Sequence, residues 1–183
     1  MNASRSMEPG PVGADVDLLI VGAGVAGLTA AVAASEDGLS VVVLNKGPQW
    51  RSDRAEQSTA TYYAQGGVAV VAPDVTEDSV DLHLHDTVLA GAGLTDPEPS
   101  RIILADGWSA VTQLIDWGAT FDRDPSGRLL RTREGGHSVR RIIHSGGDAT
   151  GAAIQQALGA RFGQLREIGA VTCIDDAVVT DIV

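Results

Sequence analysis

A glycine-rich turn at residues 22–27 is the first feature of this sequence with a chemical use. It reads Gly22-Ala23-Gly24-Val25-Ala26-Gly27, a GxGxxG pattern between an apolar run and an alanine-rich run. In this pattern the first glycine permits a tight turn, the second lets a pyrophosphate approach the backbone, and the third lets helix and strand pack closely. The N–H groups that open the helix then bind the phosphates. The turn predicts dinucleotide binding, with a purely structural turn as the alternative.

The end of the second apolar run does not decide which dinucleotide binds. An acidic residue there usually bonds a ribose hydroxyl, but this sequence has Leu44-Asn45-Lys46. Asn45 could accept a ribose hydrogen bond, and Lys46 could contact adenosine or phosphate. A solvated lysine at a strand end stays open as the alternative.

The elements around the turn form a β-α-β pattern. Asp17–Val21 has the composition of a buried strand, Leu28–Asp37 favours a helix, and Val41–Leu44 predicts a second buried strand. Such a unit implies parallel strands and a right-handed crossover. The uncharged run Leu18–Ser35 has the length of a membrane span, but its glycines favour strand, turn and helix. The fold class is α/β.

The rest of the chain alternates helical, extended and loop patterns. Asp96 is the predicted N-cap of the best-marked helix, with Pro97 at its first position and Gly118 at its end. We further expect a strand at 68–72, a helix at 78–90, a hairpin at 120–130, a basic glycine-rich loop at 131–147, a helix at 150–162 and a β-rich segment at 171–183. Because so few sheet strands are evident, we expect a partial domain over residues 15–183, preceded by a mobile tail at 1–14.

Composition excludes several classes of function. With 13 Lys+Arg against 24 Asp+Glu, the formal net charge is −11, and an acidic field disfavours nucleic acid as a partner. Cys173 is the only cysteine, which excludes an internal disulfide and a cysteine-based metal cluster. We predict no metal site, no membrane span and no secretory signal, and therefore a cytoplasmic location.

Several further motifs together resemble one known family. They are Ser58-Thr59, Thr61–Val68, Asp86-Thr87, Ala90–Asp96, Arg133–Ser138, Arg141–His144 and Asp148–Gly151. This set is similar to the succinate dehydrogenase/fumarate reductase flavoproteins, and the Glu-Gly-Gly-His-Ser block at 134–138 is its most discriminating part. The resemblance implies an FAD-binding Rossmann-like three-layer domain that is incomplete in this chain, without the capping domain that closes over substrate.

The resemblance also implies roles for individual residues. The turn at 22–27 holds the FAD pyrophosphate, and Lys46 lies beside the adenosine. Backbone groups along the ribityl chain and isoalloxazine come from Ala60, Thr61, Tyr62, Tyr63, Ala64, Gln65, Gly66 and Gly67, where they stabilise charge at the flavin N1–C2=O edge. Glu134 orients a substrate ammonium, and His137 is an active-site polar group. The alternatives are a solvated Glu134, a simple turn at Gly135-Gly136 and a structural role for His144.

One departure from the family pattern selects a branch. Members often carry a histidine bonded covalently to FAD just before the threonine, whereas this chain has Ala60 before Thr61. The departure favours noncovalent FAD and the soluble branch that oxidises L-aspartate to iminoaspartate, the first step of de novo NAD biosynthesis.

In that branch oxygen or fumarate reoxidises the flavin, and quinolinate synthase consumes the imine. The alternatives are a fumarate reductase-like or succinate dehydrogenase-like flavoprotein and a catalytically silent FAD-binding module. The family's capping domain and proton-transfer arginine cannot be mapped onto these residues, so we expect no turnover from residues 1–183 alone.

Overall fold

The computed structural model of the chain describes residues 15–48 and 59–181. These fold into two compact units, one of residues 15–48 together with residues 161–181, and one of Thr59–Ala160. The predicted tail at 1–14 lies outside the described residues. In the described part of the chain, no helix is long and apolar enough to cross a membrane.

The first unit contains the predicted β-α-β pattern. Strand β1 (Leu18–Val21) leads through the glycine turn into helix α1 (Val25–Glu36), and strand β2 (Val41–Leu44) follows. Strand β5 (Val171–Ile174) pairs with the other side of β2, giving a parallel sheet in the order β1-β2-β5. The sheet confirms the α/β prediction. The β-rich pattern at 171–183 overestimated the strand, which ends at Ile174.

Apolar side chains hold α1 against its sheet. Leu28, Ala31 and Val32 on the helix are at most 2% exposed, as is Val43 at the centre of β2. The alanine-rich composition of α1 explains this packing, because small side chains let a helix lie close to a strand.

The second unit is built around a short antiparallel pair. Strand β3 (Val68–Ala69) pairs with strand β4 (Ile142–Ile143), Val68 opposite Ile143. The sequence predicted a longer β3 and only loop at 131–147, and both predictions were wrong. Two apolar residues carry too weak a periodic signal to identify a strand. Each of these strands is defined by pairing with the other, which lies far away along the chain.

Helices α2 (Val80–Ala90) and α3 (Pro97–Asp116) belong to this unit, and helix α4 (Thr150–Glu167) begins in it. The Asp96 side chain accepts a hydrogen bond from the N–H of Glu98 at 3.1 Å, which confirms the predicted N-cap of α3. Helix α2 begins after Ser79, whose hydroxyl oxygen accepts from the N–H of Leu82 at 3.1 Å. The buried core of the unit comprises Val70, Val111, Ala119, Phe121, Leu129, Ile143 and Ala157.

The predicted hairpin exists as a turn with one bridge. Arg123 and Leu129 form an isolated antiparallel bridge, and Asp124 Oδ1 accepts from the N–H of Ser126 at 2.8 Å. The aspartate side chain closes the turn in the way that its residue type favours.

Candidate functional site

The glycine turn has the geometry that its sequence pattern requires. Gly22 has a φ of +106°, a region that favours glycine, and its N–H donates to Leu44 O at 2.8 Å. At Gly27 an added Cβ would lie 1.9 Å from Gly22 O and 3.3 Å from a side-chain carbon of Ile20. The first glycine therefore makes the turn, and the third lets α1 touch the end of β1.

The start of α1 suits an anion. Its N-cap, Gly24, has extended backbone and offers no side-chain hydrogen bond, and the first turn carries no acidic residue. Ala23 and Gly24 are half-buried, while Val25 and Ala26 are exposed. Helix N-termini of this kind bind phosphate through backbone N–H groups and the positive end of the helix dipole. The residues at this turn thus fit the pyrophosphate of a dinucleotide.

Asn45 and Lys46 differ in their availability at the end of β2. Asn45 is 5% exposed, and its amide nitrogen donates to Asp175 Oδ1 at 3.1 Å and Pro48 O at 3.3 Å. Its amide oxygen lies 3.5 Å from Gly47 N and accepts from it. Because the side chain is buried and both ends of its amide face the protein, a ribose contact through Asn45 is disfavoured. Lys46 is exposed and can reach a ligand.

The stretch at 60–67 opens with a short 3₁₀ helix, Ala60–Tyr63, held against the first turn of α4. Gly151 N donates to Ala64 O at 2.9 Å, and a Cβ at Gly151 would lie 2.0 Å from Thr61 O. Thr59 Oγ1 adds a hydrogen bond of 3.2 Å to the fully buried Gln155. A glycine on α4 thus allows the stretch to approach the helix backbone.

The middle of the stretch is open, whereas its end is tightly packed. Tyr63 is 57% exposed, and the three residues after it, Ala64, Gln65 and Gly66, are exposed. The ring of Tyr62 meets that of Tyr63 edge to face, with centroids 5.3 Å apart. At Gly67 a Cβ would lie 2.4 Å from a side-chain carbon of Ile142 and 2.7 Å from His144 Cε1. An exposed backbone segment is thereby fixed at both ends, which suits contact with a flat ligand.

Glu134 lies in a turn and is half exposed. Its carbonyl accepts from His137 N at 3.1 Å, with Gly136 at a φ of +84°. Its Oε1 accepts from the Thr132 hydroxyl at 3.1 Å and lies 2.8 Å from His144 Nε2. The glycine pair therefore does form a turn, and that turn presents a carboxylate with two neighbouring hydrogen-bond donors.

His137 contacts a buried ion-pair cluster. Its Nδ1 lies 3.0 Å from Arg141 Nη1, and because a guanidinium only donates, this bond places the imidazole proton on Nε2. Arg141 also forms a bidentate pair with Asp78 and a 2.6 Å bond to Asp86 Oδ2. Ser138 donates its N–H and hydroxyl to the same Asp86 oxygen, both at 2.8 Å.

The cluster shifts the titration of its members. Burial alone would raise the pKa of Asp86, but hydrogen bonds from Ser138 and Arg141 and the charge of Arg141 hold that pKa well below its usual value. Burial also opposes the charge of Arg141, yet Asp78 and Asp86 raise its pKa overall.

His83 lies against the same cluster. Its ring centroid is 5.4 Å from that of His137, and its side chain is almost fully buried. Burial first, and then the charge of Arg141 and electrostatic repulsion between the two histidines, lower its pKa to about 4, although Asp78 and Asp86 act in the opposite direction. His83 is therefore neutral near pH 7.

Sequence reasoning named Glu134 and His137 but not the groups that hold them. Arg141 and Asp86 stood only within motifs, whereas His144 was expected to be a structural hydrogen-bonding residue. The sequence carries no signal that distinguishes the buried Arg141 from the exposed Arg140 beside it. The Gly22–Gly27 turn and Lys46 belong to the first unit, and the other predicted site residues belong to the second.

Comparisons with known proteins agree with these features. Residues 17–183 match the model of a family described as FAD binding domain. Over 157 residues the chain is 54% identical to L-aspartate oxidase of Mycobacterium tuberculosis, covering 85% of this chain and 28% of that protein. It is 49% identical over 142 residues to L-aspartate oxidase of Streptomyces coelicolor, covering 78% of this chain and 23% of that protein. The chain thus spans about a quarter of the length of these relatives.

Solved structures show the same fold. Mycobacterium smegmatis Sdh1 superposes with a TM-score of 0.77 at 30% identity, over 88% of this chain and 27% of that one. The E. coli quinol fumarate reductase FrdA superposes with a TM-score of 0.76 at 31% identity, over 88% of this chain and 26% of that one.

Proposed function

The chain belongs to the family of FAD binding domains, and on that premise we propose that it binds FAD noncovalently and serves the oxidation of L-aspartate to iminoaspartate. When bound, FAD supplies the acceptor for the hydride that leaves the substrate Cα. The protein binds and orients the two reactants and stabilises the charge that develops.

The geometry of the turn supports the cofactor assignment. Gly22 and Gly27 bring strand and helix together, and the start of α1, which has no side-chain cap at Gly24, would face the anion. In the proposal this turn holds the pyrophosphate and the exposed Lys46 lies beside the adenosine. The exposed stretch at 60–67 would lie along the ribityl chain and ring, where its N–H groups would stabilise negative charge.

The chemistry of residue 60 supports noncovalent attachment. Ala60 presents a methyl group at the start of the 3₁₀ helix, so it offers no atom that can bond to FAD. Binding then depends on hydrogen bonds, phosphate contacts and burial alone.

The observation that carries the substrate assignment is that the chain's sequence identity differs between two groups of relatives. The chain shares 54% of residues with an L-aspartate oxidase but 30–31% with the succinate dehydrogenase and fumarate reductase structures. Aspartate differs from succinate by an ammonium group, and the half-exposed Glu134 supplies a negative acceptor for it. In the same proposal His137 provides a polar contact at the site.

The wider assignments follow from the same relatives. We propose that residues 15–183 form part of a cytoplasmic FAD-dependent enzyme. Oxygen or fumarate would reoxidise its flavin, and quinolinate synthase would consume its product.

Two measurements test the function. FAD is first titrated into the purified chain, and quenching of flavin fluorescence should report saturable binding. Then the complete gene product, loaded with FAD under nitrogen, is mixed with L-aspartate or succinate, and the flavin absorbance should bleach with aspartate. Bleaching by succinate alone would indicate a fumarate reductase-like flavoprotein. FAD binding without bleaching by either compound would indicate a silent module.

A further inference from the structure

We propose that His144 is a positioning residue for Glu134, fixing the carboxylate so that one of its oxygens is presented to the substrate amine. The inference rests on the proposed function and deepens it, because it names the group that makes Glu134 selective. His144 follows β4 directly, so its place is set by a strand of the fold rather than by a free loop.

The contacts at Glu134 are unequal between its two oxygens. Oε1 accepts from the Thr132 hydroxyl at 3.1 Å and lies 2.8 Å from His144 Nε2. Oε2 has no hydrogen-bond partner among residues 15–48 and 59–181. A carboxylate held through one oxygen keeps the other free for a donor, and an ammonium is a donor of the right charge.

The tautomer of His144 follows from its partner. An ionised carboxylate only accepts hydrogen bonds, so the 2.8 Å contact with Glu134 Oε1 requires the proton on Nε2. Thr132 Oγ1 also lies 3.1 Å from Nε2, and because its single hydroxyl proton is donated to Glu134 Oε1, its oxygen can only accept from that N–H. His144 Nδ1 is buried and has no hydrogen-bond partner among the described residues. Since neither tautomer satisfies Nδ1, the contact with Glu134 decides the choice.

The ring of His144 also packs against the proposed flavin-contacting stretch. A Cβ at Gly67 would lie 2.7 Å from His144 Cε1, so the glycine leaves room for the imidazole. The side chain of His144 is only 16% exposed, whereas that of Glu134 is 51% exposed. The nearly buried ring of His144 thus holds the more exposed carboxylate of Glu134 at a fixed position relative to the stretch at 60–67, which would contact FAD.

The test uses two replacements of His144 that differ in reach. The amide nitrogen of Gln can replace Nε2, while that of Asn replaces Nδ1 and is too short to reach Glu134. In the FAD-loaded complete gene product, we expect His144→Asn to lower kcat/KM for aspartate by about tenfold, mainly through KM. His144→Gln should recover most of the loss, and fumarate reduction should change little because fumarate lacks the amine.

A double-variant comparison separates positioning from simple packing. If His144 acts through Glu134, His144→Asn should cause no further loss of aspartate selectivity in a Glu134→Gln background. Equal losses for aspartate and fumarate, or full additivity of the two substitutions, would overturn the inference. An active parent whose selectivity is unchanged by His144→Asn would also overturn it and leave the proposed function intact. A parent inactive on aspartate would overturn both.

Imidazole nitrogen NMR gives a readout that needs no turnover. In the ¹⁵N-labelled chain we expect the His144 signals of an imidazole protonated at Nε2, and a change in them with Glu134→Gln. A neutral ring protonated only at Nδ1 would contradict the proposed contact.

Discussion

Arg141 and Asp78 form a bidentate ion pair in the interior of the second unit. Arg141 Nε lies 2.9 Å from Asp78 Oδ2, and Nη2 lies 2.7 Å from Oδ1. Each side chain is 1% exposed. The pair joins the residue just before β4 to the segment that leads into α2. It therefore fixes the position of Arg141, which in turn contacts His137.

Removing the guanidinium should destabilise this unit strongly. Arg141→Met leaves the buried carboxylates of Asp78 and Asp86 without their cation, and breaking a buried pair in this way costs about 3–5 kcal/mol. Urea unfolding of the chain gives the free energy. The neighbouring Arg140 is exposed, so Arg140→Met should change it by less than about 0.5 kcal/mol. Equal effects of the two substitutions would show that the buried ion pair does not contribute to the free energy of unfolding.

Stability should also depend on pH through His83. Its pKa is lowered from 6.5 to about 4, so between these values the unfolded chain binds a proton that the folded chain excludes. The contribution of His83 to the free energy of unfolding should therefore be fully present above about pH 6.5 and fall by up to about 3 kcal/mol towards pH 4.

A matched pair of histidines on α2 checks this dependence. His83→Gln should flatten the pH profile between 6.5 and 4, whereas His85→Gln should not, since His85 is exposed. The lowered pKa of Asp86 gives a separate effect, because the stability it contributes is present above about pH 3.8 and is lost at lower pH. A profile unchanged by His83→Gln would assign the dependence to other groups.

Gly27→Ala should weaken both the fold and FAD binding. The added methyl would lie 1.9 Å from Gly22 O, so α1 must move away from β1, at a cost of about 1–3 kcal/mol. That movement should also open the glycine turn at 22–27 that we propose to hold the pyrophosphate, and FAD fluorescence titration should show lower affinity. Gly163→Ala is the control, because its methyl meets nothing within 4 Å and alanine favours a helix. Equal affinity for FAD in both variants would show that the glycine turn does not contribute to FAD binding.

FAD should be released when the holoprotein is denatured. Ala60 has no nucleophilic atom, so acid precipitation should leave the yellow colour in the supernatant. Ala60→His restores the imidazole found in related flavoproteins and tests whether position 60 alone decides attachment. Flavin retained on the pellet of the parent protein would contradict noncovalent binding.

Glu134→Gln should reduce the preference for aspartate in the complete enzyme. The substitution removes the negative charge that would bind the ammonium, a charge-assisted bond worth about 1.5–3 kcal/mol. Aspartate kcat/KM should fall roughly tenfold or more, while fumarate reduction and FAD content change little. Glu167→Gln at the exposed end of α4 is the charge-matched control. A parallel loss with both substrates would assign Glu134 to the structure of its turn.

Local signals predicted much of the first unit. The apolar runs, the alanine-rich helix and the glycine spacing gave the β-α-β unit and its turn, since each of these depends on neighbouring residues. The N-cap at Asp96 was predicted for the same reason: capping needs only an acceptor side chain and the next few backbone N–H groups.

Long-range partners explain what the sequence missed in the second unit. Strand β4 has only two residues and exists because β3 pairs with it, so 131–147 reads as loop without that partner. The internal bonds of Asn45 likewise come from Asp175, far along the chain. Periodicity over a short window carries no information about such pairings.

The sequence by itself determined the class of fold, the glycine turn at 22–27 and the presence of Glu134 and His137 in a second glycine turn. Only the tertiary structure decided which groups hold them: Arg141 contacts His137, and His144 contacts Glu134. The physical reason is burial. A charged or polar side chain removed from water must find partners wherever the fold brings them, and their positions along the chain do not reveal which ones it will meet.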